Sequence, residues 1–155
     1  MDNQNNVVSL LSISETDGIA KFLVSYINKY CPYIPDGMYF DFQNLLQSES
    51  LSIMNMPSGV KVKEYLDGKS YEGQYQFAIL YKALPDSLNQ RIDFVALLDT
   101  ICEWLESIEY FDNEPEGISI NYIRQLQSSY ILNRAEDGYI TYQAILTLNY
   151  EKWGI

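Results

Sequence analysis

The sequence predicts a single α+β domain: a mostly antiparallel sheet of about six strands with two amphipathic helices packed on one face. Three observations carry this. Asp67-Gly68 and Asp137-Gly138 each sit between runs of alternating character, which is the short-range mark of a hairpin. Two other stretches, near 14–31 and 88–108, repeat their apolar residues at the three-and-four spacing of a helix face. With 155 residues, 47% hydrophobic and 20% charged, the chain is long and apolar enough to bury one core.

Residues 1–12 are polar and then weakly apolar, and read as a flexible arm or short edge strand ahead of the domain at 13–155. They lack the basic start and sustained apolar core of a signal peptide, and no run approaches the length of a membrane span. Ser14 with Asp17 resembles a capping box, and Ile19, Phe22, Leu23, Tyr26, Ile27 and Tyr30 then form one helical face. Cys31-Pro32 ends that helix, because the residue before a proline is pushed out of the helical region. Pro35-Asp36-Gly37 reads as a turn, Met38 to about Leu46 as a first strand and Leu51–Met56 as a second, broken by Pro57-Ser58-Gly59.

Val60 to Lys82 supplies the third and fourth strands. A tight type I′ turn at Asp67-Gly68 would set their register, with Tyr71, Gly73, Tyr75, Phe77, Ile79 and Tyr81 on one face. A second helix follows, capped by Ser87 or Asn89. Its buried face is marked by Ile92 or Phe94, then Leu97, Leu98, Ile101, Trp104, Leu105 and Ile108. After the acidic loop 109–117, Ile118, Ile120 and Tyr122 restart the strand pattern. Beyond Asp137-Gly138 a long strand alternates Ile140, Tyr142, Ala144, Leu146, Leu148 and Tyr150 against a mostly polar face.

Composition then narrows function. The chain has fourteen tyrosines, no histidine, and ten basic against twenty-one acidic residues, a net charge of −11. Without histidine it lacks the side chain that titrates nearest neutrality and the commonest transition-metal ligand. The acidic balance opposes a grip on nucleic-acid phosphate, which needs Lys and Arg, and it suits solubility or a passage through which DNA slides. Cys31 and Cys102 belong to no CxxC and read as reduced, buried thiols of a protein folding in the cytoplasm.

The residues that carry chemistry form no catalytic pattern, so we expect no enzyme and no catalytic, cofactor or metal residues. Asp112, Glu114 and Glu116, beside Glu106 and Glu109, offer oxygen ligands without the twelve-residue calcium-loop spacing, and read as a solvated acidic loop. Neither a GxGxxG nor a GxxxxGK[ST] is present, and no serine or cysteine has a histidine to activate it. Lys61 and Lys63 flank the first hairpin as charges that discourage wrong edge pairing. Tyrosine is favoured at protein interfaces. Tyr39, Tyr65, Tyr71, Tyr75, Tyr139 and Tyr142 therefore read as candidate subunit contacts, against the plainer reading that tyrosines cover half-buried sheet faces.

The run KEYLDGKSYEGQYQFAILYK, with Glu64, Tyr65, Asp67, Gly68, Phe77 and Tyr81, is followed by QRIDFVALLDTICEWLESI with Trp104. Over roughly residues 15–150 this order resembles the tail terminator, or minor capsid (tail completion), family of long-tailed phages and prophages of Gram-positive bacteria. The resemblance implies a virion assembly protein. It would form a ring, a hexamer, that caps the tail tube, ends its polymerisation and joins it to the head, with DNA passing through its channel without specific binding. Its partners would be further copies of itself, the tail tube protein and a head–tail connector protein; its place would be the virion tail, assembled in the host cytoplasm, with no membrane. On that picture the contact residues are Tyr65, Asp67, Gly68, Tyr71, Tyr75, Tyr139 and Tyr142, around the two hairpins. The alternatives are another connector or tube component of similar fold, and a small hydrolase using carboxylates of residues 106–116.

Overall fold

The computed structural model describes residues 11–56 and 59–154, so most of the N-terminal arm and the Pro57-Ser58 break lie outside the described residues. The elements run α1 (Ile13–Tyr30), β1 (Phe40–Phe42), β2 (Ser50–Asn55), β3 (Val60–Glu64), β4 (Tyr71–Ala83), α2 (Leu88–Ser107), β5 (Ile118–Arg134) and β6 (Ile140–Lys152). This is the expected α+β order of helix, four strands, helix, two strands. The sheet order is β1-β2-β4-β6-β5, with β3 paired to β4 beside β2, and every pair is antiparallel except β1 with β2.

α1 starts earlier than the Ser14 reading has it. Ser12 is the N-cap, and its hydroxyl accepts from the Glu15 N–H at 3.2 Å, so the S-x-x-E spacing that starts this helix runs from Ser12. Its end at Cys31, extended ahead of Pro32, is as expected. α2 is capped by Ser87, whose hydroxyl accepts from Gln90 N–H. Of the two candidates for its first buried position, Phe94 is the one that packs, edge-on against Tyr81 and Tyr142, while Ile92 is 58% exposed. Two residues are about 200° of helix turn, so both cannot face one sheet.

β1 is three residues long, against the expected 38–46. Asn28 of α1 pins it from both sides, its amide donating to Phe40 O at 3.0 Å and its carbonyl accepting from Phe40 N at 2.7 Å. At Gln43 the chain turns with φ 52, which ends the strand. Gln43 N–H then reaches Ile53 O of β2 at 2.8 Å.

Neither hairpin closes with a two-residue type I′ turn. In the first, Gly68 alone is left-handed, at φ 75; its N–H reaches Tyr65 O at 3.1 Å, and Tyr65 N–H reaches Ser70 O at 2.9 Å. The Asp67 carboxylate accepts from the N–H groups of Lys69 and Ser70 and from the Ser70 hydroxyl. In the second, Gly138 at φ 92 donates to Ala135 O, and Ala135 N–H donates to Tyr139 O. A longer loop lets glycine take the only positive φ and frees aspartate to bond the turn's backbone.

The core lies between the helices and one sheet face. Ile19, Leu23 and Ile27 of α1 and Leu98, Ile101 and Leu105 of α2 join one buried cluster with Tyr75, Phe77, Ile79 and Tyr81 of β4 and with Tyr142, Leu146, Leu148 and Tyr150 of β6. Both helices therefore cover the same face. At its edge Gly73 pairs directly with Tyr150, and a Cβ on Gly73 would meet that ring and its hydroxyl oxygen at 2.6 Å. Tyr150 is fully buried and its hydroxyl is held by Glu15, so the ring shifts only by disturbing that bond. Gly73→Ala should therefore lower stability by about 1–3 kcal/mol in urea unfolding. A neutral result would mean that the ring moves freely.

β5 spends 17 residues against the 13 of β6, through four register shifts. Among the described residues it is the outermost strand of its side of the sheet.

Candidate functional site

The seven residues expected at contacts do not form one patch. Tyr75 is wholly buried, which removes it from any surface set, and Tyr142 is equally buried, at the floor of a groove between α2 and β5; the aromatic face of β4 is the core face. Tyr71 is half-buried against α1. Tyr65 is half-buried, stacked on Trp153 with ring centroids 6.1 Å apart, and donates to Glu151 at 3.1 Å. Asp67 and Gly68 are exposed at the hairpin tip beside Leu66, which is as exposed as a free side chain. Tyr139 lies at the other hairpin, with Lys82 Nζ 5.3 Å from its ring centre. Because Tyr71 pairs with Lys152 and Ala83 with Ile140, the two hairpin tips stand at opposite ends of β4, about 40 Å apart.

The tyrosines enter the core by finding acceptors at its margin. Tyr71 and Tyr150 both donate to the Glu15 carboxylate. Tyr75 donates to Asn55, whose amide is held by Asp17, and Tyr81 donates to Glu49. Burial first, and then the nearby carboxylates, push the phenols of Tyr71, Tyr81 and Tyr150 well above their ordinary value; burial and then Asp17 do the same for Tyr75. These are neutral hydrogen-bond donors at any physiological pH.

The acidic loop serves structure. Asp112 accepts from the Tyr30 hydroxyl at 3.0 Å, Glu114 from Ile120 N–H, and Glu106 from Gln125 N–H. Among the described residues no group of three or more His, Cys, Asp or Glu side chains is placed to hold a metal ion. Cys31 is half-buried and Cys102 buried; burial, then Asp99, Glu106 and Glu103, push the Cys102 thiol up to about 12, so the nucleophilic thiolate is suppressed.

One feature escapes the sequence reading. Leu88, Arg91, Ile92 and Val95 of α2, with Ile131 and Arg134 of β5, wall an open groove of about 420 Å³ whose floor includes Tyr142. The Tyr142 hydroxyl is buried there with no hydrogen-bond partner among the described residues, and burial raises its pKa against the opposing pull of Arg91 and Arg134. The signal was present in sequence: Leu88, Ile92 and Val95 stand at i, i+4 and i+7, a second apolar stripe beside the buried one.

The opposite face of the sheet carries Gln74, Gln76, Ala78 and Leu80 from β4 and Gln143, Ile145 and Thr147 from β6, with Ala78, Leu80 and Thr147 buried and the exposed Arg124 of β5 set opposite Thr147. None of the described helices is long and apolar enough to cross a membrane. No protein-family model matches the chain, and no curated protein matches it.

Proposed function

We propose that this chain is a structural protein of a long phage tail: a tail terminator that closes into a ring on the tail tube, ends its growth and offers the surface to which the head joins. The observation that carries this reading, beside the resemblance over residues 15–150, is β5. It is a long edge strand that presents Leu126, Ile131 and Leu132 to solvent, 49%, 37% and 50% exposed. Apolar side chains along an unpaired edge are what an assembling subunit covers with a neighbour. The register shifts of β5 interrupt its ladder, which favours side-chain contact over backbone pairing with a stray strand.

The remaining parts fit the same role. The Leu66 tip is a further candidate contact with a neighbour or the tube, with Tyr65, Asp67 and Gly68 around it. The partners are then further copies of the chain, the tube protein and a connector protein.

The test adds purified protein to growing tail tubes and follows their length by electron microscopy. Tubes should stop growing, each with a ring at one end; unchanged growth would overturn the reading. Light scattering separates the tube-component alternative, because a tube protein gives an open series of masses and a terminator stops near six chains. Leu126→Asp combined with Leu132→Asp should weaken tube capping roughly tenfold, about 1.4 kcal/mol. Both positions are half exposed, so folding stability should move by no more than about 0.5 kcal/mol.

A further inference from the structure

We propose that the groove between α2 and β5 is a docking site for a second copy of this chain, which inserts Tyr110 and sets Glu109 between Arg91 and Arg134. This deepens the ring reading and rests on it only for the requirement that copies associate.

Charge is the first argument. The chain carries −11 overall, yet two of its three arginines flank this one apolar groove. Its natural complement is an apolar group beside a carboxylate, and the chain displays one. Loop 109–117 holds four carboxylates and no cation, and within it Tyr110 is 77% exposed next to the exposed Glu109. A phenol ring buries a large apolar body between Leu88, Ile92 and Ile131 while its hydroxyl stays near polar groups. The Tyr142 hydroxyl in the floor, which has no partner among the described residues, is a second sign of an incomplete site, because a buried polar group without a partner is costly.

Geometry is the second argument. The groove is built on the first two turns of α2, and Tyr110 follows its C-terminal end. Twenty helical residues separate the two by about 30 Å, so a chain cannot fill its own groove. Because donor and receptor are separate patches, copies can pair about a two-fold axis by exchanging both inserts, or join head-to-tail through heterologous contacts. Such heterologous contacts close into a ring or run on as a filament.

The experiment uses two surface variants of the full chain, read by sedimentation across a concentration series. Arg91→Glu with Arg134→Glu disables the groove, and Glu109→Lys with Tyr110→Ser disables the insert. Wild type should associate as concentration rises, and each variant alone should do so roughly a hundredfold more weakly. Mixed in equal amounts, the variants should form pairs and nothing larger, since each pair uses the single intact groove and the single intact insert. The single changes Ile92→Ser and Tyr110→Ser, at exposed positions, repeat the comparison if a double variant loses its fold. A wild type that stays monomeric, a variant that associates like wild type, or a mixture that grows past two chains would overturn the proposal. None of these outcomes touches tube capping, which decides the tail reading separately.

Discussion

Replacing Glu15 with alanine should lower the unfolding free energy by about 3 kcal/mol, since it strips the acceptor from two tyrosine hydroxyls at once, each loss being worth about 1–3 kcal/mol. Tyr150 is wholly buried, so water cannot replace the carboxylate there without opening the core. Tyr71 is half-buried and recovers part of its loss. Glu15 also stands in the first turn of α1, where a negative charge adds about 0.3–1 kcal/mol through the helix dipole. For a domain of this size the melting temperature should fall by about 6–12 °C. Glu15→Gln, which keeps one acceptor oxygen, should recover part of the difference. Equal melting of the alanine variant and wild type would mean that the cluster contributes nothing net.

Alkaline pH should unfold the protein cooperatively, with an effect larger than that of any single substitution. In the unfolded chain the tyrosines ionise near pH 10. In the folded chain Tyr71, Tyr75, Tyr81 and Tyr150 are pushed above that value by burial first, and Tyr142 is raised by the same cause. Below about pH 10 both states keep these protons and the full stability is present. Above it the unfolded state releases protons that the folded state retains, so stability falls by about 1.4 kcal/mol per pH unit for each such group. Tyr75, Tyr81 and Tyr150, the most buried with large shifts, together remove up to about 4 kcal/mol per unit, while Tyr71, which solvent reaches, and Tyr142, with its smaller shift, add less; one to two pH units then approach the whole stability of an ordinary domain. Tyrosinate absorbance should therefore rise in one step that coincides with loss of circular dichroism. A gradual rise with the fold intact would show that these hydroxyls are open to solvent.

The same tyrosines show where the sequence was readable and where it was not. Period-two alternation places Tyr75 on one face of β4 and Tyr142 on one face of β6, and both strands form as expected. Periodicity cannot say that this aromatic face is the buried one, because a phenol needs an acceptor and the acceptors are remote in sequence. Tyr150 finds Glu15 across 135 residues, and Tyr75 finds Asn55 across 20. The core's rim of carboxylates and amides takes in several of the fourteen tyrosines. That uses part of an acidic excess that composition alone assigns to solubility.

Local signals succeeded where their chemistry is local. Pro32 ends α1 and Ser87 starts α2 because capping and proline sterics act over one to three residues. The Asp-Gly pairs locate both hairpins, but loop length depends on which residues the flanking strands can pair, and Tyr65 with Ser70 wins over a tighter closure. β1 stops at Phe42 because of Asn28 and the turn at Gln43, neither of which leaves a mark in the alternation of residues 38–46. A reading in which Ile92 and Phe94 compete for a single face hides the groove. The helix has two apolar faces and buries only one of them.

The pairing of β4 with β6 has a kinetic consequence. These two strands form the middle of the sheet, yet Ala83 meets Ile140 and Tyr71 meets Lys152, separations of 57 and 81 residues. The chain must close that loop, with α2 and β5 inside it, before β4 gains a partner on its second edge, and long closures slow folding. The β3–β4 and β5–β6 hairpins can form early as separate halves, each leaving the inner edge of its long strand bare until they meet. Folding rate should therefore respond most to substitutions along the β4–β6 seam, while changes at either hairpin tip act mainly on unfolding.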